Sequence, residues 1–323
     1  MCENKKIFVL VVLLFFAFGY MFSYKIDTSF VNKKCSSNLD LLNPNIDCDT
    51  SDSKIENLST LQERLEVLVG GYTKSRKAQR VSVFVRDLNT ARFAGVNDND
   101  VFYMASLLKT PLMIGGFKLA EVEPKVMDQE IVYTGKPDLY SEQIIKSGEH
   151  LKVGDSYTIR ELIRRSVVHS DNTAAQILFD YYPQDFMDRI MQAIGLQLTK
   201  STGEQENLVT ARTYAGVFRT LYNASYLTNE FSNEALKILT QTEFKEGAVA
   251  QLPKGVIVAH KFAERTYNDS KTGVLLRQLH ECGIVYAKEP YTFCIMTEGG
   301  DYKDLEKIIS DISLIVYEEI VKE

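Results

Sequence analysis

Ser106-Leu107-Leu108-Lys109 runs directly into Thr110-Pro111-Leu112-Met113-Ile114-Gly115-Gly116-Phe117-Lys118, an apolar stretch with the pattern of a helix. Residues three apart share a helix face, so this spacing holds the lysine amine beside the serine hydroxyl. A serine hydroxyl is a weak nucleophile at neutral pH and needs an adjacent base, a role open to a partly desolvated lysine. Alone, the pair reads first as a helix N-cap serine and a solvated lysine. A second match, Ser51-Asp52-Ser53-Lys54, has no apolar helix after it.

Working outward, Ser170-Asp171-Asn172 lies within Val167-Val168-His169-Ser170-Asp171-Asn172-Thr173-Ala174-Ala175. All three of its residue types favour a helix cap. The functional alternative makes Ser170 a proton shuttle and Asn172 a clamp for a substrate amide. Val258-Ala259-His260-Lys261-Phe262-Ala263 ends a strand with a lysine, which without context is a solvated edge charge.

Around these segments the pattern is mixed. An amphipathic helix is expected over 55–69, ending at Gly70-Gly71, followed by an alternating strand from Arg80 to Arg86. A hairpin turn over 87–90 and a second strand from Arg92 come next. The section from Met104 to Thr240 is mostly helical in pattern. Strands return over 255–261, 283–286 and 291–296, and a helix from Tyr302 to Val321 closes the chain with a stripe of Leu305, Ile308, Ile309, Ile312 and Ile315. This order predicts a mixed architecture in which one lobe is an antiparallel sheet between terminal helices and the other is all helical.

Composition is that of an ordinary folded protein. Of 323 residues, 45% are hydrophobic and 25% charged, which excludes disordered, collagen-like and multi-pass membrane classes. A net charge of −6 leaves no basic footprint for nucleic acid. Five cysteines make no CxxC motif or Cys/His cluster, so no metal or other cofactor is expected. Lys5 and Lys6 precede an apolar run from Ile7 to Phe22, the pattern of an export signal, and no small-residue cleavage site closes it. The expectation is a signal-anchor over 1–25, a tether over 26–52 and one catalytic domain over 53–323, monomeric and held on the extracytoplasmic face of a membrane. Cys35 and Cys48 would be free to pair in an oxidising compartment. Cys282 and Cys294 fall across an expected hairpin, and sequence alone does not pair them.

The ordered motifs and their flanks resemble the class A β-lactamase-like serine hydrolases, relatives of the penicillin-binding D,D-peptidases. The resemblance rests on Val81 to Asn89, Ala105 to Met113, Ser170 to Ala175, Leu252 to Lys261, and Gly283 to Tyr286 with Pro290-Tyr291. It implies an α/β sandwich with a five-stranded antiparallel sheet flanked by helices, a helical lobe, and a site between them. It implies Ser106 as nucleophile on a β-lactam or acyl-D-Ala-D-Ala carbonyl, and Lys109 as its base, a role disputed in this family. Ser170 would pass the proton to the leaving nitrogen, Asn172 would hold the substrate, and Lys261 would attract its carboxylate. The backbone N–H groups of Ser106 and Glu264 would form the oxyanion hole.

Two departures qualify that expectation. The family's third motif is usually Lys-Thr/Ser-Gly, whereas here Lys261 is followed by Phe262 and Ala263, which puts Phe262 where a substrate-binding hydroxyl is expected. Arg265 or Thr266 would have to substitute as carboxylate partner. A literal Lys271-Thr272-Gly273 occurs later, after residues with turn chemistry. The second departure is a shortened loop between Ser170 and Thr210, where the family carries a glutamate that activates the deacylating water. Only Glu204 or Glu206 is placed to replace it, so slow deacylation is expected. The readings that remain are a β-lactam hydrolase, a D,D-carboxypeptidase-like enzyme, and a non-catalytic wall-binding protein.

Overall fold

The computed structural model describes residues 40–43, 58–140, 143–146, 149–196, 199–200 and 207–322. The apolar run over 7–22, the cysteines at 2, 35 and 48, and both Glu204 and Glu206 lie outside them. Among the described residues no helix is long and apolar enough to cross a membrane.

The domain begins with α1 (Ser59–Lys74), β1 (Arg80–Asp87), β2 (Phe93–Val96) and β3 (Val101–Tyr103). A 3-10 turn, Ala105–Leu108, leads into α2 (Lys109–Val122). The helical lobe follows: β4 (Glu130–Val132), β5 (Ser156–Thr158), α3 (Ile159–Val168), α4 (Asn172–Tyr181), α5 (Phe186–Ala193), β6 (Thr199–Lys200), β7 (Asn207–Thr210), α6 (Ala211–Tyr222) and α7 (Asn229–Leu239). The chain then completes the sheet with β8 (Ile257–Asn268), β9 (Leu275–Tyr286) and β10 (Tyr291–Gly299), and ends in α8 (Tyr302–Lys322). The main sheet has five strands in the order β2-β1-β10-β9-β8, all antiparallel, as the resemblance implied.

Local chemistry explains most boundaries. Thr158, Thr210 and Thr228 each cap a helix by accepting a hydrogen bond from a backbone N–H of its first turn. Gly70-Gly71 does not stop α1, which continues to Lys74. A glycine inside a helix costs only about 1 kcal/mol relative to alanine. The packing of Leu61, Leu65 and Val69 outweighs that cost.

Both faces of the sheet are covered, so β10, its central strand, is buried at every position. One core lies beneath α1 and α8 and contains Leu65, Val83, Ile295, Leu305, Ile308 and Ile312. The other joins the sheet to the helical lobe through Met296, Phe117, Tyr214 and Phe218. Cys282 and Cys294 face each other across β9 and β10 and are joined by a disulfide. Within the segment expected to be a tether, Leu41 and Leu42 are buried in the second core, and Asn43 N–H bonds the Tyr222 carbonyl at 2.8 Å. Two leucines with a hydrophobic slot available bury themselves despite polar neighbours.

Strand β8 is longer than the expected 255–261, because it pairs with β9 residue for residue through Asn268↔Leu275. Lys271-Thr272-Gly273 therefore sits at the tip of the β8–β9 hairpin, where Asp269 accepts from the Thr272 N–H and Gly273 adopts φ +69°. It lies well along the strand from Lys261 and contributes nothing to the site. Strand β8 is one edge of the sheet, and its distance from β9 is set partly by Gly283. A Cβ there would come within 2.5 Å of the Ala259 carbonyl and 2.8 Å of the His260 Cβ. Gly283→Ala is expected to push the edge strand outward and cost about 1–3 kcal/mol, read as a lower midpoint in urea unfolding.

Candidate functional site

The site lies where α2, the turn into α4 and the edge strand β8 converge. Ala105, just before Ser106, has φ +45°, and Ser170 has φ +54°, both in the left-handed region that non-glycine residues rarely occupy. Backbone held there is sustained by its surroundings, and such residues cluster at functional sites. Asp171 caps α4 by accepting from the Ala174 N–H at 3.0 Å. The capping and functional readings of Ser170-Asp171-Asn172 are therefore compatible, since the cap fixes the turn that aims Ser170 and Asn172.

Lys109 is the centre of the cluster. Its Nζ lies 2.5 Å from the Ser170 carbonyl, 2.6 Å from Asn172 Oδ1, 3.1 Å from Ser106 Oγ and 3.2 Å from Ser170 Oγ. Burial lowers its pKa from 10.5 to about 7, against the opposing pull of Asp171 and Glu264. A neutral amine has two N–H groups and one lone pair. The carbonyl and the amide oxygen can only accept, so they take both N–H groups. The lone pair is left facing the two serine hydroxyls, which is the arrangement a base needs.

Lys261 is fully buried, and its Nζ donates to Ser170 Oγ at 2.9 Å and to the Phe262 carbonyl at 2.7 Å. Burial holds its pKa well below the ordinary value, and Lys109 lowers it further. Ser170 Oγ thus stands between two lysine amines. Behind Lys261 on β8, His260 and Glu281 form a completely buried pair at 2.6 Å, and Glu281 also accepts from the Ala248 N–H.

Five of the expected residues, Ser106, Lys109, Ser170, Asn172 and Lys261, are brought together. Lys261 is enclosed rather than open to a substrate carboxylate. Asn172 has its amide oxygen engaged by Lys109. Phe262 is 3% exposed, its ring stacked on Phe244 at a centroid distance of 4.5 Å, so it offers no surface to a substrate. A phenyl ring gains more from that apolar slot than from the cleft. Arg265 lies over the Tyr103 ring at 3.9 Å, and Thr266 pairs with Tyr302.

Two participants escaped the sequence reading. Gln143 donates to the Ser170 carbonyl at 3.1 Å and accepts from the Asn172 N–H at 3.4 Å, tying its loop to the site. Nothing in the local sequence marks it. Glu264, expected to act only through its backbone, places its carboxylate against the N–H groups of Ile144 and Ile145 at 2.8–2.9 Å. Burial raises its pKa, opposed by those two N–H groups and by Lys261 and Lys109. No cluster able to hold a metal ion occurs among the described residues.

The beta-lactamase enzyme family matches residues 60–320. Among solved structures, PBP-A is 20% identical, with 84% of this chain and 100% of that one covered and a TM-score of 0.68. The TLA-3 extended-spectrum beta-lactamase is 19% identical over 81% of this chain and 99% of its own, with a TM-score of 0.68. A representative class A beta-lactamase from Bacteroides cellulosilyticus DSM 14838 is 18% identical over 81% and 99%, also with a TM-score of 0.68. These likenesses are to the fold. No curated protein matches the chain.

The geometry predicts an unusual titration. Following the Lys109 Cε resonance by NMR should give a midpoint of about 7 rather than 10.5. Because the Glu264 charge favours the ammonium form, Glu264→Gln should move that midpoint lower.

Proposed function

The chain belongs to the beta-lactamase enzyme family, and we propose that it is a serine hydrolase that opens cyclic or activated amides through an acyl-enzyme on Ser106. The observation that carries this reading is the Lys109 amine 3.1 Å from Ser106 Oγ, with the acceptor oxygens of Ser170 and Asn172 at 2.5 and 2.6 Å to take its N–H groups. In the first step the Ser106 oxygen attacks the carbonyl carbon while Lys109 takes the hydroxyl proton. The proton then passes by way of Ser170 Oγ, which lies within hydrogen-bond reach of both lysines, to the leaving nitrogen as the C–N bond breaks. Backbone N–H groups of Ser106 and Glu264 carry the charge on the carbonyl oxygen, and a donor of that kind is worth about 2.7–4 kcal/mol in an acyl-transfer enzyme.

Water must then attack the ester, and deacylation is the slower half of the proposal. Among the described residues, the carboxylates that influence Lys109 are Asp171, anchored through one oxygen by the α4 cap, and Glu264, anchored by two backbone N–H groups. This supports turnover closer to that of a penicillin-binding D,D-carboxypeptidase than to that of an efficient β-lactamase. The basic residues and apolar run at the N-terminus support an extracytoplasmic, membrane-anchored setting.

Incubation with a chromogenic cephalosporin, followed by colour and by intact mass, tests the reading. A persistent adduct on Ser106 with little turnover is expected, and Ser106→Ala should form none. The acylation rate should rise with pH through about 7, because Lys109 acts as a base only after losing its proton. Rapid turnover would refute slow deacylation, and identical behaviour of Ser106→Ala and wild type would refute the covalent mechanism.

A further inference from the structure

The edge-strand side of the cleft lacks an open lysine followed by a hydroxyl, the pair that would welcome an anion. Lys261 is 0% exposed, with its N–H groups directed to Ser170 Oγ and the Phe262 carbonyl. No hydroxyl follows it, since position 262 is a buried phenylalanine stacked on Phe244. The Arg265 guanidinium lies over Tyr103. Glu264, the next polar side chain along β8 after Lys261, is half-buried and brings a negative charge instead.

The position of that charge is fixed from both sides. On one side it stands on the edge strand three residues from Lys261. On the other, its oxygens accept from Ile144 and Ile145, whose neighbour Gln143 is bonded to Ser170 and to the first turn of α4. The carboxylate is close enough to influence both Lys109 and Lys261. A substrate lying along β8 with its carbonyl at Ser106 must pass beside it.

We propose that Glu264 determines specificity in this site, so that acyl donors whose leaving group is neutral or cationic react faster than those whose leaving group carries a carboxylate. The proposal rests on the acyl-enzyme reading above and names the substrate class within it. A carboxylate brought beside Glu264 meets a like charge, with Lys261 enclosed and no hydroxyl at position 262 to offset it. An amide N–H or an alkylammonium group meets an acceptor already oriented by two backbone N–H groups. The natural donor is then an amide or ester without a carboxylate next to the scissile bond, and carboxylate-bearing β-lactams acylate more slowly than their neutral counterparts.

Three thioesters of one acyl group, phenylacetylglycine, provide the test. Their leaving thiols are thioglycolate (anionic), thioglycolamide (neutral) and thiocholine (cationic). In each, Ser106 Oγ forms the ester bond, the C–S bond breaks, and the serine proton leaves with the sulfur as free thiol. Thiol release from the full-length protein gives the rate, and the mass added to Ser106 is the same for all three. The neutral and cationic donors are expected to acylate at least about tenfold faster than the anionic one, the scale of a like-charge encounter in a partly buried site. Glu264→Gln keeps the shape and the acceptor oxygen and should bring the three rates together. An anionic donor as fast as the neutral one in wild type overturns the proposal without needing any variant. A preference that persists unchanged in folded Glu264→Gln overturns the assignment to Glu264. Failure of all three donors to acylate Ser106 overturns the acyl-enzyme reading itself and this proposal with it.

Discussion

The site depends on the removal of the Lys109 amine from water. An exposed lysine holds its proton at neutral pH and cannot serve as a base, whereas burial among neutral partners makes the amine form accessible. The surrounding structure is arranged to sustain that burial. Most of α2 after Lys109 is enclosed, with Thr110 through Phe117 all buried between the sheet and the neighbouring helices. The oxygens of Ser170 and Asn172 replace the lost hydration with fixed partners, and the Asp171 cap keeps the turn that carries them in place. Lys261 is enclosed by the same convergence, so two basic groups sit around one hydroxyl, and burial together with Lys109 holds the Lys261 pKa down against the pull of Glu264 and Glu281.

This arrangement alters the electrostatic picture drawn from the charges alone. Two lysines in a cleft suggest a positive trap for an anion. With both buried and both lowered, and with Glu264 beside them, the field is much closer to balanced. The buried pair of His260 and Glu281 adds to that balance from behind the edge strand, where Glu281 favours the charged form of Lys261. A lysine-rich site is better described by which proton each amine keeps than by a count of charges.

Much of the fold was legible because hydrophobic periodicity survives any rearrangement of loops. The stripe of Leu305, Ile308, Ile309 and Ile312 is buried along α8, and the alternation from Arg80 lies on β1. Element ends were less legible. Gly70-Gly71 was expected to end α1 but lies within it, because a helix end depends on what packs beyond it. Strand β8 was expected to stop at Lys261, yet β9 holds seven further residues in register, from Phe262 to Asn268. Gln143 and the pair Leu41-Leu42 carried no local signal, since their partners are far away in the chain.

The sequence by itself determined that Ser106 and Lys109 share a helical face, that Ser170-Asp171-Asn172 opens a helix, and that Phe262 and Ala263 break the family's third motif. These follow from short-range geometry and residue identity, which need no knowledge of neighbours distant in the chain. Only the tertiary structure decided that Lys261 is sealed, that Phe262 turns into the core to stack on Phe244, and that the Glu264 carboxylate bonds a loop of the opposite lobe. Desolvation and charge proximity set those outcomes, and both depend on what the fold brings within a few ångströms rather than on what lies next along the chain.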